Sequence, residues 1–221
     1  MRNLTLPQKA SLVIAIAICI IAPTFGYLKI GLAPVIIVGG SAIIGFFFWY
    51  STYLKRPNDP KIILPIFILA VAALQIHMVE EYFTSFGPAI SRIFNVPWTE
   101  ERFLLVFMMI LPIIYTFTTL GLYYRVPLAG FVAWFIFIGP GVAEFTHFIF
   151  PLIEPHLEPG NINSITQTIA GVQVENMPNY YHRTTGNYYF SGMWTAILPM
   201  IPDIYAIYRL TREARKPKKV I

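Results

Sequence analysis

Hydrophobic residues run along this chain in long, nearly continuous blocks. Six of them, at roughly 9–25, 32–54, 62–84, 102–123, 128–150 and 187–208, read as helices able to cross a hydrocarbon core of ~30 Å. Inside lipid every backbone N–H and C=O must find its partner within the protein, which leaves the helix as the natural spanning element. The pattern predicts an all-α fold: an integral membrane bundle of about six transmembrane helices, forming a single transmembrane domain over 1–221. Within it, 9–54 reads as an N-terminal helical hairpin, and the turn at "GYLKIGLAP" leaves open a shallower version of that hairpin. Arg2 and Lys9 precede "SLVIAIAICIIAP" with no convincing small-x-small cleavage site after it, so this segment reads as a signal anchor. Two polar stretches interrupt the blocks. Residues 85–101 are amphipathic and rich in turn formers, which suits the membrane interface. Residues 152–186 form a long outer loop whose middle, "SITQTIAGVQVE", carries a short hairpin signal around Ala170-Gly171.

Composition agrees. The chain is 56% hydrophobic and 12% charged, with mean hydropathy +0.61; a soluble domain carries about twice that charge. The lone Cys19 excludes an intramolecular disulfide and a thiolate metal cluster. The net charge of +5 does not point to nucleic acid, because Arg209, Arg212, Arg215, Lys216, Lys218 and Lys219 crowd the end of an apolar helix. They read as an anchor against anionic lipid. With six spans, one side collects these six plus Arg2, Lys9, Lys55, Arg56, Lys61 and Arg125, and the other holds Lys29, Arg92, Arg102 and Arg183. That asymmetry predicts a multi-pass cell-membrane protein with both termini cytoplasmic. Asp203 then falls near the cytoplasmic end, where it is expected to be solvated.

The informative residues are the ones that do not belong in lipid. In "HMVEEYF", His77 lies fifteen residues beyond Ile62, ~22 Å along a helix. Glu80 and Glu81 follow at i+3 and i+4, so both share a helix face with His77. In "GPGVAEFTHFIF", Glu144 lies sixteen residues beyond Leu128, ~24 Å along, with His147 at i+3. Pro140 and Gly141, just before it, can bend that helix. An unpaired carboxylate in hydrocarbon costs several kcal/mol, and two such helices at one depth argue for a shared partner.

A divalent transition metal is one such partner. Glu-x-x-His aims a carboxylate and an imidazole at one ion, and a His/Glu set without cysteine suits iron, manganese or zinc. The expected ligands are His77, Glu80 or Glu81, Glu144 and His147, with His182 as a further one. A metal-free acid–base site, in which Glu80, Glu81 and Glu144 exchange protons beside the histidines, stays open, as does a purely structural hydrogen-bond network. No haem or nucleotide signal occurs. The predicted function is an enzyme acting on a lipid-soluble substrate in the outer half of the bilayer. The alternative is a non-catalytic accessory subunit of a larger membrane complex, docked through 152–186.

"HMVEEYF" with the following "GPAISRIFNVPWTEERFLLVF" resembles the HXXEE-domain proteins, a family of bacterial polytopic membrane proteins. The resemblance covers about 65–205. It includes a mid-chain polar residue three before a histidine (here Glu144 and His147) and a late segment similar to "YFSGMWTAILP", with Tyr189, Gly192, Thr195, Ala196 and Pro199 in the matching places. Ser191 stands where the family usually has proline, and Glu144 where it often has asparagine. The resemblance implies a bacterial inner-membrane location and a metal or catalytic site, without a substrate. His77-x-x-x-Glu81 with a glutamate on a second helix is also similar, by analogy, to the metal-free sterol-isomerase site of emopamil-binding-type proteins.

Overall fold

The computed structural model describes residues 4–156, 166–169, 171–175 and 180–216. It is an all-α bundle with one small hairpin. Five helices are long and apolar enough to cross a membrane: α1 (Leu6–Leu28), α2 (Val35–Thr52), α3 (Pro60–Phe83), then α5 (Glu100–Tyr123) and α6 (Pro127–Leu152), with the short α4 (Phe86–Phe94) between the third and fourth. Their order and bounds follow the first five hydrophobic blocks closely.

The sixth block behaves differently. Residues 187–196 are not helical, and the last helix, α7, runs Ile197–Ala214. It starts ten residues later than the apolar pattern predicts and carries Asp203, Arg209, Arg212 and Glu213, so it is not among the five long apolar helices. The reason lies in the hydrogen bonds of Tyr189–Thr195, described below. Asp203 also departs from expectation: it is 1% exposed, its side chain against Gly141, rather than solvated.

The chain divides into two compact units. The first comprises Met1–Ala72, Ile114–Ala143 and Pro199–Ile221. Thr5 and Gln8 close a capping box at the start of α1, and the Gln8 amide donates to the Leu54 carbonyl at 2.9 Å, which ties the ends of the N-terminal hairpin. Helix α2 packs on the first turns of α6. A Cβ at Gly45 would lie 3.1–3.2 Å from the backbone of Trp134 and Phe135, so glycine lets the two backbones approach. On either side of that contact Phe48 stacks on Trp134 (centroids 4.9 Å apart), and the Trp49 indole donates to the Pro127 carbonyl at 2.8 Å.

The second unit comprises Ala73–Ile113 and Glu144–Leu198. Helix α4 lies in the stretch expected to be amphipathic. It buries Ala89 and Ile93 against Phe150 and Phe190, with Phe86, Phe94 and Tyr180 around them. Ser85 and Asn95 bound the helix in left-handed conformations, φ 57° and 52°; asparagine tolerates this better than most residues. In the outer loop, strands β1 (Thr166–Ile169) and β2 (Val172–Glu175) pair antiparallel from Thr166↔Glu175 to Ile169↔Val172. That is the hairpin signalled at Ala170-Gly171, with Gly171 at φ 78°. The rest of the predicted 152–186 loop falls partly outside the described residues.

Candidate metal centre

Two local structures deliver the four polar side chains. Helix α3 is regular through His77 and Glu81, so i,i+4 spacing puts both on one face. The second pair sits on a tighter backbone. After a π-helical turn at Phe137–Val142, residues Ala143–Phe148 form a 3₁₀ helix. In 3₁₀ geometry residues at i and i+3 eclipse one another, so Glu144 and His147 point the same way more strictly than on an α-helix.

The pairs meet. His77 Nε2 lies 3.0 Å from Glu144 Oε2 and 3.5 Å from Glu81 Oε1; His147 Nε2 lies 3.0 Å from Glu144 Oε2 and 3.3 Å from Glu81 Oε1. All four donor atoms fall within 4.8 Å of one another. The cluster is buried, at 0% exposure for His77, 2% for Glu81 and His147, and 9% for Glu144. Phe86 stacks on the His147 ring at 5.3 Å, and Phe150 and Phe190 close its other sides.

The outer hydrogen bonds fix where the imidazole protons sit. His147 Nδ1 faces the Ser191 carbonyl at 2.7 Å, an acceptor only, so Nδ1 carries the proton. His77 Nδ1 lies 3.1 Å from Thr195 Oγ1, whose own proton goes to Glu80 Oε2 at 2.6 Å. That hydroxyl therefore accepts from His77. Both rings turn Nε2 inward, toward two carboxylate oxygens, and in the neutral imidazole that nitrogen is a lone-pair donor. Four electron-pair donors then converge with no hydrogen between them unless a cation or added protons intervene.

The donor geometry fits a metal ion. A four-coordinate ion with bonds of about 2.0–2.1 Å holds its donors about 3.3 Å apart. The four observed N–O separations, 3.0–3.5 Å, bracket that value, and the remaining donor pairs lie within 4.8 Å, so the set can hold an ion. Two neutral imidazoles, two carboxylates and a divalent cation also sum to zero charge, the arrangement that a buried site tolerates best. Glu81 Oε2 is buried with no hydrogen-bond partner, which leaves it available for a second bond to an ion.

Gly192 makes room for the cluster. It has φ 82°, and a Cβ there would lie 2.7 Å from Glu81 Cγ and 2.9 Å from Cε1 of both His77 and His147. This turn, together with Thr195 and Ser191, explains why 187–196 is not helical. Glu80 accepts hydrogen bonds from the Thr195 amide (2.7 Å), the Thr195 hydroxyl, the Tyr189 phenol (2.9 Å) and the Trp194 amide (3.4 Å). A carboxylate that claims two consecutive backbone amides holds them out of a helix.

The structure thus separates the neighbouring glutamates, which spacing alone leaves equivalent. Glu81 joins His77, Glu144 and His147, while Glu80 faces Thr195 and Tyr189 one layer out. His182 does not join the four-residue group; its ring lies edge-on to Tyr188 at 5.7 Å, on a single helical turn, His182–Thr185. The Ser191 carbonyl and the Thr84 hydroxyl, which meets Ser191 Oγ at 2.6 Å, support the site without any sequence signal of their own. No family model, curated protein or solved structure matches the chain.

Proposed function

We propose that the protein is a multi-pass membrane metalloenzyme. In this reading His77, Glu81, Glu144 and His147 hold a divalent transition metal and act on a lipid-soluble substrate. The observation that carries it is the engagement of both Nδ1 atoms by outer partners, which turns both Nε2 atoms and two carboxylates toward one point. Metal-ligating histidines are commonly oriented by such outer acceptors. Four protein donors fill the usual coordination of zinc, whereas iron or manganese keeps one or two positions for a reactant. An enzyme therefore favours iron or manganese, and zinc would favour a structural centre in an accessory subunit. The aromatic wall of Phe86, Phe150 and Phe190 suits an apolar reactant. We also infer membership of the HXXEE-domain group: residues from all three resembling segments, His77 and Glu81, Glu144 and His147, and Gly192 and Thr195, take part in one site.

A bound metal would polarise a reactant or its water and hold it in place. The chain's own residues have separate tasks. Thr195 and the Ser191 carbonyl hold the imidazole tautomers, Glu80 orients Thr195, and the phenylalanines keep bulk water out. The acid–base reading rests on the same contacts, because 3.0 Å is also a hydrogen-bond length: protons on both Nε2 atoms would balance both carboxylates.

Metal analysis of detergent-purified protein separates the readings. Wild type is expected to retain close to one divalent metal per chain, and His77→Ala and Glu144→Ala to retain almost none. Near-zero metal in all three would sink the metal reading and leave the acid–base one. Stably folded, metal-loaded protein that turns over no lipid under any condition would favour the accessory subunit.

A further inference from the structure

A second polar feature lies in the first unit and has no part in the His/Glu cluster. A cavity of about 310 Å³ is lined by Thr52, Arg56, Asn58, Asp59, Arg125 and Glu213, among others. These residues sit where helices end. Thr52 closes α2, Asp59 precedes α3, Arg125 joins α5 to α6, and Glu213 is in the last turn of α7. By charge asymmetry this is also the basic side of the chain.

The charges in the cavity are unevenly committed. Glu213 pairs with Arg209 and Lys216, and Asp59 Oδ1 accepts from the Lys61 amide at 3.1 Å. Arg56 donates to the Lys216 carbonyl at 3.2 Å, and neither Arg56 nor Arg125 has a carboxylate ion-pair partner among the described residues. Arg125 has φ 58°, a left-handed backbone that residues bearing a side chain rarely adopt; such strain gathers at functional positions. Asn58 is only 8% exposed, and its Oδ1 is buried with no hydrogen-bond partner. The cavity thus offers two guanidinium groups without a carboxylate partner among the described residues and, beside them, Asn58, whose amide oxygen is buried and lacks a donor.

We propose that this cavity binds a phospholipid headgroup. The phosphodiester would lie between Arg56 and Arg125, and a hydroxyl or ammonium group of the headgroup would donate to the Asn58 amide oxygen once that side chain turns toward the cavity. Guanidinium groups match phosphate oxygens in geometry and charge. The Asn58 acceptor sets this apart from diffuse attraction between basic residues and an anionic surface, because it demands a donor on the same ligand. Phosphatidylglycerol and phosphatidylethanolamine have one; phosphatidylcholine has none. Inorganic phosphate would satisfy the arginines, but it brings no acyl chains to continue along the helix ends.

The test uses purified full-length protein in detergent, titrated with short-chain phosphatidylglycerol, phosphatidylethanolamine and phosphatidylcholine and with inorganic phosphate. Wild type is expected to bind the first two more tightly than the third. Arg56→Gln/Arg125→Gln is expected to weaken both by about tenfold or more. Lys9→Gln/Arg212→Gln, which removes the same charge elsewhere, should change little. Asn58→Leu keeps the arginines and should erase the preference over phosphatidylcholine, so the proposal stays testable if the double variant folds poorly. Equal losses in the two double variants, or an unchanged preference in Asn58→Leu, would overturn it. Displacement of the lipid by inorganic phosphate as readily as by free short-chain lipid would overturn the lipid assignment.

Discussion

The two halves of the His/Glu cluster reach the same point by different backbones. His77 and Glu81 ride on a regular α-helix, where i,i+4 spacing suffices. Glu144 and His147 need a π turn followed by a 3₁₀ helix, where i,i+3 residues eclipse. The first half keeps α geometry, and the Thr195 hydroxyl meets His77 Nδ1 at 3.1 Å. The second depends on a local departure from α geometry and on the Ser191 carbonyl that fixes His147. The contrast teaches that the histidines are oriented from outside the cluster, by a loop distant in sequence, and not by the helices alone.

Perturbing that arrangement gives graded expectations. Removing one ligand should have the largest effect. His147→Ala is expected to lower metal affinity well beyond the roughly 10–100-fold typical of losing an outer partner, read by metal titration of purified protein. Gly192→Ala should come next, because the new methyl meets both imidazoles and Glu81 and the residue has φ 82°. The left-handed backbone alone costs about 1–2 kcal/mol, so both thermal stability and metal content should fall. Unchanged metal content in Gly192→Ala would mean that the turn does not press on the site. Thr195→Val should be mildest. It keeps the shape but removes the acceptor of the His77 Nδ1 proton and one donor to Glu80, with an expected loss of about 10–100-fold in metal affinity. Thr195→Ser should restore most of it. If Val and Ser behave alike, the hydroxyl does not orient His77.

The same contrast explains what the sequence made legible. Ionisable residues at i,i+3 and i,i+4 inside apolar blocks expose both half-sites, because lipid leaves few other reasons for them. Block length likewise places the first five long helices. The choice between Glu80 and Glu81 was hidden, since both share a face with His77 and only the partner loop separates them. The start of α7 was hidden too. "YFSGMWTAILP" is apolar enough to read as helix, yet Glu80 claims the amides of Trp194 and Thr195 and Gly192 turns the chain. Asp203 looked solvated by its position, and only packing against Gly141 shows it buried.

X-ray absorption at the edge of the metal that co-purifies with the protein tests the central claim most directly. The expected first shell is two imidazole nitrogens and carboxylate oxygens at about 2.0–2.2 Å, with almost no metal signal left in protein purified as His147→Ala. A shell of oxygen atoms alone, or a spectrum unchanged by that substitution, would contradict it.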